Sequence, residues 1–257
     1  MDERQHHIAV APGEVGRYVL LPGDPGRCAP IAALFDDAAM VARNREYETW
    51  TGTLDGEPVS VTSTGIGCPS AAIAMEELAR VGAEVFIRVG TSGSMQHHIV
   101  PGDLGVVSAA IRDEGTSSHY MPIEFPAVAD VGVTVALAEG ARSTGRRVHV
   151  GISQSKDSFY GQHEPERMPV ASRLADRWKA WMAGGAICSE MEAAALYVVA
   201  AVLGVRAGGI MMIAGHPDQS PMTPDEHEAI SIDNLLPAAI EGLRRVIATD
   251  RARADTP

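Results

Sequence analysis

The 257-residue chain carries 33 acidic against 21 basic side chains, for a formal net charge of −12, and is 46% apolar with 26 Gly and 16 Pro. Charge of this sign argues against a general nucleic-acid or membrane-surface binder, because both partners are polyanions, and favours a small anion held by local arginines. A chain of this length and apolar content buries roughly three quarters of its unfolded surface and needs no staples.

Residues 18–21 read as a strand ending at Pro22-Gly23-Asp24-Pro25-Gly26, followed by a short helix over 27–35. Segments 47–54 and 58–62 read as a hairpin around Asp55-Gly56, a strong two-residue turn signal. After Gly65-Ile66-Gly67, Pro69 suits a first helical turn, and 70–81 has a helical pattern. Strands follow at 85–89 and 104–110, a helix at 133–143, and a strand at 148–152. An amphipathic helix with Trp178 and Trp181 spans 173–182, and an Ala-rich helix spans 190–203. A strand at 206–213 precedes 227–249, which ends in a long helix, and 251–257 is expected to be a frayed tail. This alternation predicts a buried central sheet with helices on both faces, and no linker divides it, so one domain is expected over 1–257.

Cys28, Cys68 and Cys188 are odd in number, far apart and without metal-ligand spacing, which reads as packing residues in a reducing compartment. The polar, charged N-terminal stretch does not read as a signal peptide, and no apolar run reaches the ~18 residues of a membrane span. A cytoplasmic protein is therefore expected, with neither membrane nor nucleic acid as partner.

The most informative stretch is Val85-Phe86-Ile87 running into Arg88-Val89-Gly90-Thr91-Ser92-Gly93. A buried strand that ends in a tight Gly-rich loop aims backbone N–H groups and hydroxyls at one point, and an arginine beside them makes an oxyanion receptor. The bland alternative for Arg88 is a structural ion pair with an acid on a neighbouring strand. Gly23 to Arg27 offers a second anion-binding turn, with Arg27 placed where a cation opposes the helix dipole, although Pro-Gly-Asp-Pro taken alone also reads as a plain turn. Asn44-Arg45-Glu46 reads alone as a charged turn, and His6-His7 as a polar arm. Ser189 with Glu192 fits a capping box; the functional alternative is a carboxylate that accepts both hydroxyls of a ribose. Lys156, Phe159, Gln162 and His163 could stack on and hydrogen-bond a flat heterocycle, or simply form a surface loop. A Walker sequence, a nucleophile elbow and a dinucleotide fingerprint are all missing.

Taken in order, LPGDPGR (21–27), NREYETWTG (44–52), STGIGCPSAAIAMEEL (63–78), IRVGTSGSMQ (87–96), GDLGVVSAAIRDEGTS (102–117), KDSFY (156–160) and SEMEAAAL (189–196) resemble the uridine phosphorylases of the nucleoside phosphorylase family. The resemblance runs from about residue 7 to 215, and it is the ordered set that is specific. It implies a single-domain, three-layer αβα fold with a central mixed, partly barrel-like sheet. It implies phosphorolysis of a pyrimidine nucleoside, uridine plus phosphate giving uracil and ribose 1-phosphate. Inorganic phosphate is then the co-substrate, with no organic cofactor. Gly23, Arg27, Arg88 and Thr91 would bind phosphate, and Arg45 would reach the phosphate of a neighbouring subunit. Met191, Glu192 and Thr91 would hold the ribose, with His7 crossing the same interface to its 5′-hydroxyl. Phe159, Gln162 and Gly93 would meet the base. Arg88, Thr91 and Glu192 would be the catalytic set. Glu46, Ile66 and Ser70 match positions that hold a monovalent cation such as K+ between subunits in some members. The family is oligomeric, usually a hexamer of three dimers, because each site is completed by its dimer partner.

Two departures from the pyrimidine pattern stand out. A Gln-x-Arg is usual after Phe-Tyr, but the run here is Gln162-His163-Glu164-Pro165-Glu166-Arg167. Either an insertion brings Arg167 back, or His163 and Lys156 take over as donors. The segment Ile213-Ala214-Gly215-His216-Pro217 lacks the arginine common in uridine phosphorylases, and also the acid that purine phosphorylases use at N7. The rival readings are a purine nucleoside phosphorylase of the same family, a nucleosidase, and a non-catalytic nucleoside sensor. The last two should lack the phosphate arginines.

Overall fold

β-branched runs and helix-forming stretches alternate along residues 4–254, the part of the chain that the computed structural model describes. In chain order they form β1 (Tyr18–Leu21), α1 (Cys28–Ala32), β2 (Asp36–Asn44), β3 (Tyr47–Leu54), β4 (Glu57–Thr62) and α2 (Cys68–Arg80). There follow β5 (Val85–Ser94), β6 (Leu104–Asp113), β7 (Ala127–Val128), α3 (Val131–Ser143), β8 (Val148–Lys156), α4 (Phe159–His163) and α5 (Ala171–Ala183). The chain ends with β9 (Cys188–Glu190), α6 (Ala193–Leu203), β10 (Arg206–Ile213), α7 (Pro224–Ala229) and α8 (Leu236–Ala254).

The strands lie in the order β10-β6-β8-β9-β5-β1-β4-β3-β2, and β10 also pairs with β5. That extra pairing closes β10, β6, β8, β9 and β5 into a partial barrel, from which β1 to β4 extend as an open sheet. β1 lies parallel between β5 and β4, while β2, β3 and β4 form an antiparallel meander. Two apolar clusters sit on opposite faces of the sheet. Phe86, Met211 and Val107 pack with Met75, Leu78, Leu196 and Val199 on the α2 and α6 side. Ile87, Val89 and Ile210 pack with Leu137, Leu243 and Val246 on the α3 and α8 side. The α6 sequence is apolar all round, as a helix buried on every side must be, and its residues from Ala193 to Ala200 are buried. The three-layer αβα fold with a partly barrel-like mixed sheet is the one expected.

Local chemistry explains most boundaries. Asp55 (φ 52°) and Gly56 (φ 80°) both take the left-handed conformation of a type I′ turn, so the β3–β4 hairpin forms where the sequence places it. β1 and β10 match their predicted ranges, whereas β5, β6 and β8 continue past the predicted ends into polar residues that line the site. Four expectations change or gain detail. β2 was not foreseen: it is a mostly exposed strand at the end of the sheet order, its pairing with β3 is interrupted by register shifts, and DDAAMVARN has no clear alternation. The helix expected from 190 begins at Ala193, because Cys188–Glu190 pairs with β5 and β8 as a strand. The region 227–249 does end in a long helix, α8, but α7 and a 3-10 turn at Ile232–Asn234 precede it. The tail is helical through Ala254, where Arg251 bonds Glu57 Oε1 at 2.9 Å and the Asp55 carbonyl at 2.6 Å; residues 255–257 of that expected frayed tail lie outside the described residues. The three cysteines are buried and free, as packing residues would be.

The N-terminal arm is pinned to α2 by one buried carboxylate. Glu77 accepts hydrogen bonds from the amides of His7 and Ile8, each at 2.9 Å to Oε2, and its Oε1 lies 2.6 Å from His7 Nδ1. Burial alone would raise the Glu77 carboxyl, but the bonds from the His7 ring and the two amides outweigh it and hold the pKa below the ordinary carboxylate value. A depressed folded pKa contributes stability that is complete above the unfolded value and is lost as pH falls through the folded one. Glu77→Gln should therefore cost about 1–3 kcal/mol in urea unfolding at neutral pH. The gap to the parent protein should close as the melts are repeated at acid pH below the carboxylate range.

Candidate active site

Parallel pairing of β1 with β5 sets Leu21 beside Arg88, so the turn after β1 folds over the guanidinium. Asp24 closes that turn by accepting the Gly26 amide at 2.8 Å, which leaves Arg27 at the end of a 3-10 turn and at the start of α1. Glycine is required at position 23 by close approach: a Cβ there would stand 3.1 Å from the Gly65 carbonyl and 3.4 Å from both Arg88 Nη atoms. Arg88 is 6% exposed; its Nη2 donates to Glu192 Oε2 at 2.7 Å and its Nη1 to the Leu21 carbonyl at 3.2 Å, while its Nε has no partner. Both readings of Arg88 thus meet, since it forms a buried ion pair and also faces the anion-binding turn. Burial, and then the Arg88 charge, push the Arg27 pKa down, so the two guanidinium groups share one electrostatic field. Arg27 has no ion pair among the described residues. Thr91 and Gly93 follow on β5, half-buried.

Glu192 is held from two sides. Its Oε1 accepts the Gly67 amide at 2.8 Å while Oε2 takes Arg88. The capping box expected from Ser189 and Glu192 is absent. Instead Glu190 Oε2 accepts the amides of Glu192 and Ala193 at 2.7 Å each, and Glu190 Oε1 accepts from the Ser155 hydroxyl. Burial and the neighbouring Glu192 charge raise the Glu190 pKa. Met191 is half-buried, and its carbonyl accepts from Cys68 Sγ at 3.2 Å.

Beyond Glu192, a cavity of about 330 Å³ opens between the end of β8, α4 and α5, within the size range of small-molecule sites. Lys156, Gln162 and His163 line it with Arg177, Trp178 and Trp181 from α5. Gly93 also reaches it. The half-buried face of the predicted amphipathic helix is thus a cavity wall. A chain of polar groups runs behind: Lys156 Nζ donates to Ser189 Oγ at 2.7 Å, and Ser189 Oγ lies 2.6 Å from Gln154 Oε1 and 2.7 Å from Gln162 Oε1. Gln154 Nε2 then donates to Asp113 Oδ2 at 2.7 Å, and Asp113 pairs with Arg177. Strand register makes this possible, because Ser189 lies beside Gln154 and Lys156 beside Asp113. Burial lowers the pKa of Lys156, with Glu190 and Glu192 acting against it. His163 is also pushed down, by burial and then by the Lys156 charge. Phe159 is 51% exposed and stacks on His163 with ring centroids 4.1 Å apart.

Arg167 is not brought back. It is exposed, pairs with Glu164 in the preceding turn and does not line the cavity. The 3-10 turn Pro165–Arg167 holds it outside, so of the donors considered only Lys156 and His163 reach the cavity. Sequence reading missed Arg177, Asp113, Gln154 and the paired tryptophans as lining residues. Extending the strand at 148–152 by two more pairs of alternating positions would have placed Gln154 and Lys156 on one face.

The positions linked to a subunit interface gather on the other side of Gly65. Arg45 is exposed with φ 56° at the β2–β3 turn, and Ile66 is 78% exposed. Ser70 Oγ donates to Glu46 Oε1 at 2.8 Å, and a Cβ on Gly65 would stand 2.8 Å from Glu46 Cγ. His7, fixed to Glu77 through Nδ1, keeps Nε2 for another partner. No group of three or more His, Cys, Asp or Glu among the described residues is placed to hold a metal ion.

Comparison with known proteins identifies the family. Residues 17–248 match the family described as the Phosphorylase superfamily. The chain is 45% identical over 249 residues to a uridine phosphorylase of Treponema pallidum, covering 97% of this chain and 96% of the relative. It is 51% identical over 211 residues to a uridine phosphorylase of Thermococcus kodakarensis, covering 81% and 76%. A guanosine phosphorylase of Halorubrum lacusprofundi is 38% identical over 244 residues, covering 95% of each chain. With a family match across nearly the whole chain and relatives this similar over most of its length, the chain belongs to the phosphorylase superfamily.

Proposed function

We propose that this enzyme is a pentosyltransferase that splits uridine with inorganic phosphate, releasing uracil and ribose 1-phosphate. The observation that carries the reading is the buried Arg88–Glu192 pair standing against the Gly23 turn, on the same strand β5 whose Gly93 lines the neighbouring cavity of about 330 Å³. Two guanidinium groups in one field repel unless an anion lies between them, and a phosphate dianion is a fitting occupant. A nucleosidase or a sensor has no need of that pair.

In this reading Gly23, Arg27, Arg88 and Thr91 hold phosphate beneath C1′ of the sugar. Glu192 grips the ribose hydroxyls, with Met191 against the ring. Gln162 meets the base edge, and Phe159 covers the cavity mouth beside His163. A phosphate oxygen bonds to C1′ as the C1′–N1 bond breaks and its electron pair passes to the base. Positive charge develops on the sugar, where the dianion stabilises it, so catalysis is mainly positioning and electrostatics. The proton carried by hydrogen phosphate ends on uracil through solvent, which balances the reaction.

We also infer that a second copy completes each site, within a hexameric assembly. Arg45 would contribute to the partner's phosphate, His7 Nε2 to its ribose 5′-hydroxyl, and Glu46, Ile66 and Ser70 would flank a K+ between subunits. The exposure of Arg45 and Ile66 and the fixed ring of His7 support this. Mixing Arg45→Ala with Glu192→Gln subunits should restore activity above that of either variant alone, since one site type in the mixed dimer has all its native groups. No recovery on mixing would place Arg45 outside the site.

Arg88 is a poor first target, because truncating one partner of a buried pair costs about 3–5 kcal/mol of stability. Arg27→Ala avoids this, having no ion pair to orphan. It should lower kcat/KM for phosphorolysis about 10²–10³-fold while the melting temperature holds. Uracil release from uridine, followed against thymidine, inosine and guanosine, checks substrate class; faster turnover of the purine nucleosides would overturn the pyrimidine assignment. Glu192→Gln should weaken uridine at least about tenfold more than 2′-deoxyuridine, the difference of one charged hydrogen bond. Equal losses on both would remove Glu192 from the 2′-hydroxyl.

A further inference from the structure

Lysine is almost never buried without a charge partner. Lys156 is 6% exposed, its hydrogen bond among the described residues goes to the neutral Ser189 hydroxyl, and no carboxylate forms an ion pair with it. Glu190 and Glu192 act on it only at longer range. The acid that could have neutralised it is otherwise engaged: Asp113, its neighbour in register on β6, is tied to Arg177 and Gln154. An ammonium has three N–H donors, so two remain for the cavity that Lys156 lines. Its position is fixed rather than fluid, since Ser189 is itself anchored between Gln154 and Gln162.

We propose that Lys156 is a catalytic residue that donates to a carbonyl oxygen of the departing base and stabilises the charge that gathers there as the glycosidic bond breaks. This deepens the phosphorolysis reading and rests on it. The arginine expected near Gln162 is exposed and paired with Glu164, which leaves the cavity with no guanidinium from that loop. His163 lines the same cavity, and burial lowers the pKa of His163 and Lys156 alike, but an imidazole starts from an ordinary value of 6.5 and an ammonium from 10.5, so the His163 ring is the weaker source of positive charge. Arg177 reaches the lining too, with its charge already answered by Asp113. Lys179 also reaches the lining but is exposed to solvent, which leaves Lys156, among the described residues, as the buried lining cation without an ion pair. As the C1′–N1 bond breaks, its electron pair spreads onto the base carbonyls, and the ammonium hydrogen-bonds the oxygen while keeping its proton. The buried cation that costs energy in the free enzyme thereby acquires its counter-charge in the transition state.

The test compares uridine with 5-fluorouridine at saturating phosphate, measuring kcat and KM for each. Fluorine makes the base a better leaving group, so the reaction leans less on a donor. Lys156→Met should lose about 10²-fold or more in kcat for uridine and at least about tenfold less for 5-fluorouridine, with KM for phosphate unchanged. Lys156→Arg, which keeps the charge, should recover part of the loss. Equal losses on both substrates would mean a structural role and would overturn the proposal, as would full activity of Lys156→Met. Should that variant lose its native circular dichroism, Lys156→Gln, which keeps a donor for Ser189, carries the same comparison with the same criteria. A parent enzyme that releases no uracil from uridine would instead sink the phosphorolysis reading itself.

Discussion

The buried pair between Arg88 and Glu192 is the joint on which the site turns. Arg88 comes from the middle of β5, and Glu192 follows β9, which is hydrogen-bonded to the same strand. Closing β5, β9, β8, β6 and β10 into a partial barrel brings residues 104 positions apart to 2.7 Å. The pair is not chiefly a source of stability, since desolvating both ions consumes most of what their attraction returns. What it supplies is fixed geometry. One Arg88 nitrogen holds Glu192, another holds the Leu21 carbonyl, and the guanidinium stands against Gly23 in the anion-binding turn. The turn at Gly23 and the carboxylate of Glu192 therefore cannot move independently.

Charge around that joint is unevenly balanced. Arg88 pairs with Glu192, Lys156 lies in the field of Glu190 and Glu192, and Glu190 has a raised pKa with its oxygens taken by Ser155 and two amides. Glu190 thus works as a helix cap in place of the side chain of Ser189. On the proposed reading Glu192 is the working carboxylate, and the pocket is cationic inside a chain of net charge −12. Such contrast concentrates the field at the cleft and repels anions from the rest of the surface. On the proposed reading, a phosphate entering it would relieve the repulsion between two arginines, and a charge-delocalised base leaving it would relieve the buried Lys156.

Legibility in the sequence followed the range of the interactions. The Asp55-Gly56 hairpin, β1, β10 and the Pro22–Arg27 turn are written in consecutive residues, so their places could be read directly. The ordered motifs located Arg88, Glu192 and Gln162, and the family comparison agrees with the reading they support. The strand β2 was hidden because a mostly exposed strand with pairing shifts has no burial pattern to show. Glu190 was hidden because its neighbours across the sheet, Ser153 and Ser155, are set by β8–β9 register rather than by sequence spacing. Arg167 misled for the opposite reason: it is close in sequence to Gln162, yet the short turn after α4 directs it to solvent.

The same register argument explains why a lysine rather than an arginine can stand at the base. Gln154 and Lys156 alternate with Ser155, so both point to the Ser189 side while Ser155 turns to Glu190. From the end of a strand, a four-carbon stem brings a compact charge to the cavity without the planar approach a guanidinium needs. A point charge fixes no edge by itself. On the proposed reading, orientation would then come from the Gln162 amide and from Trp178 and Trp181, which line the same cavity. Recognition and charge stabilisation, which a forked arginine would combine in one side chain, are here divided between an amide that reads the edge and an ammonium that answers the charge.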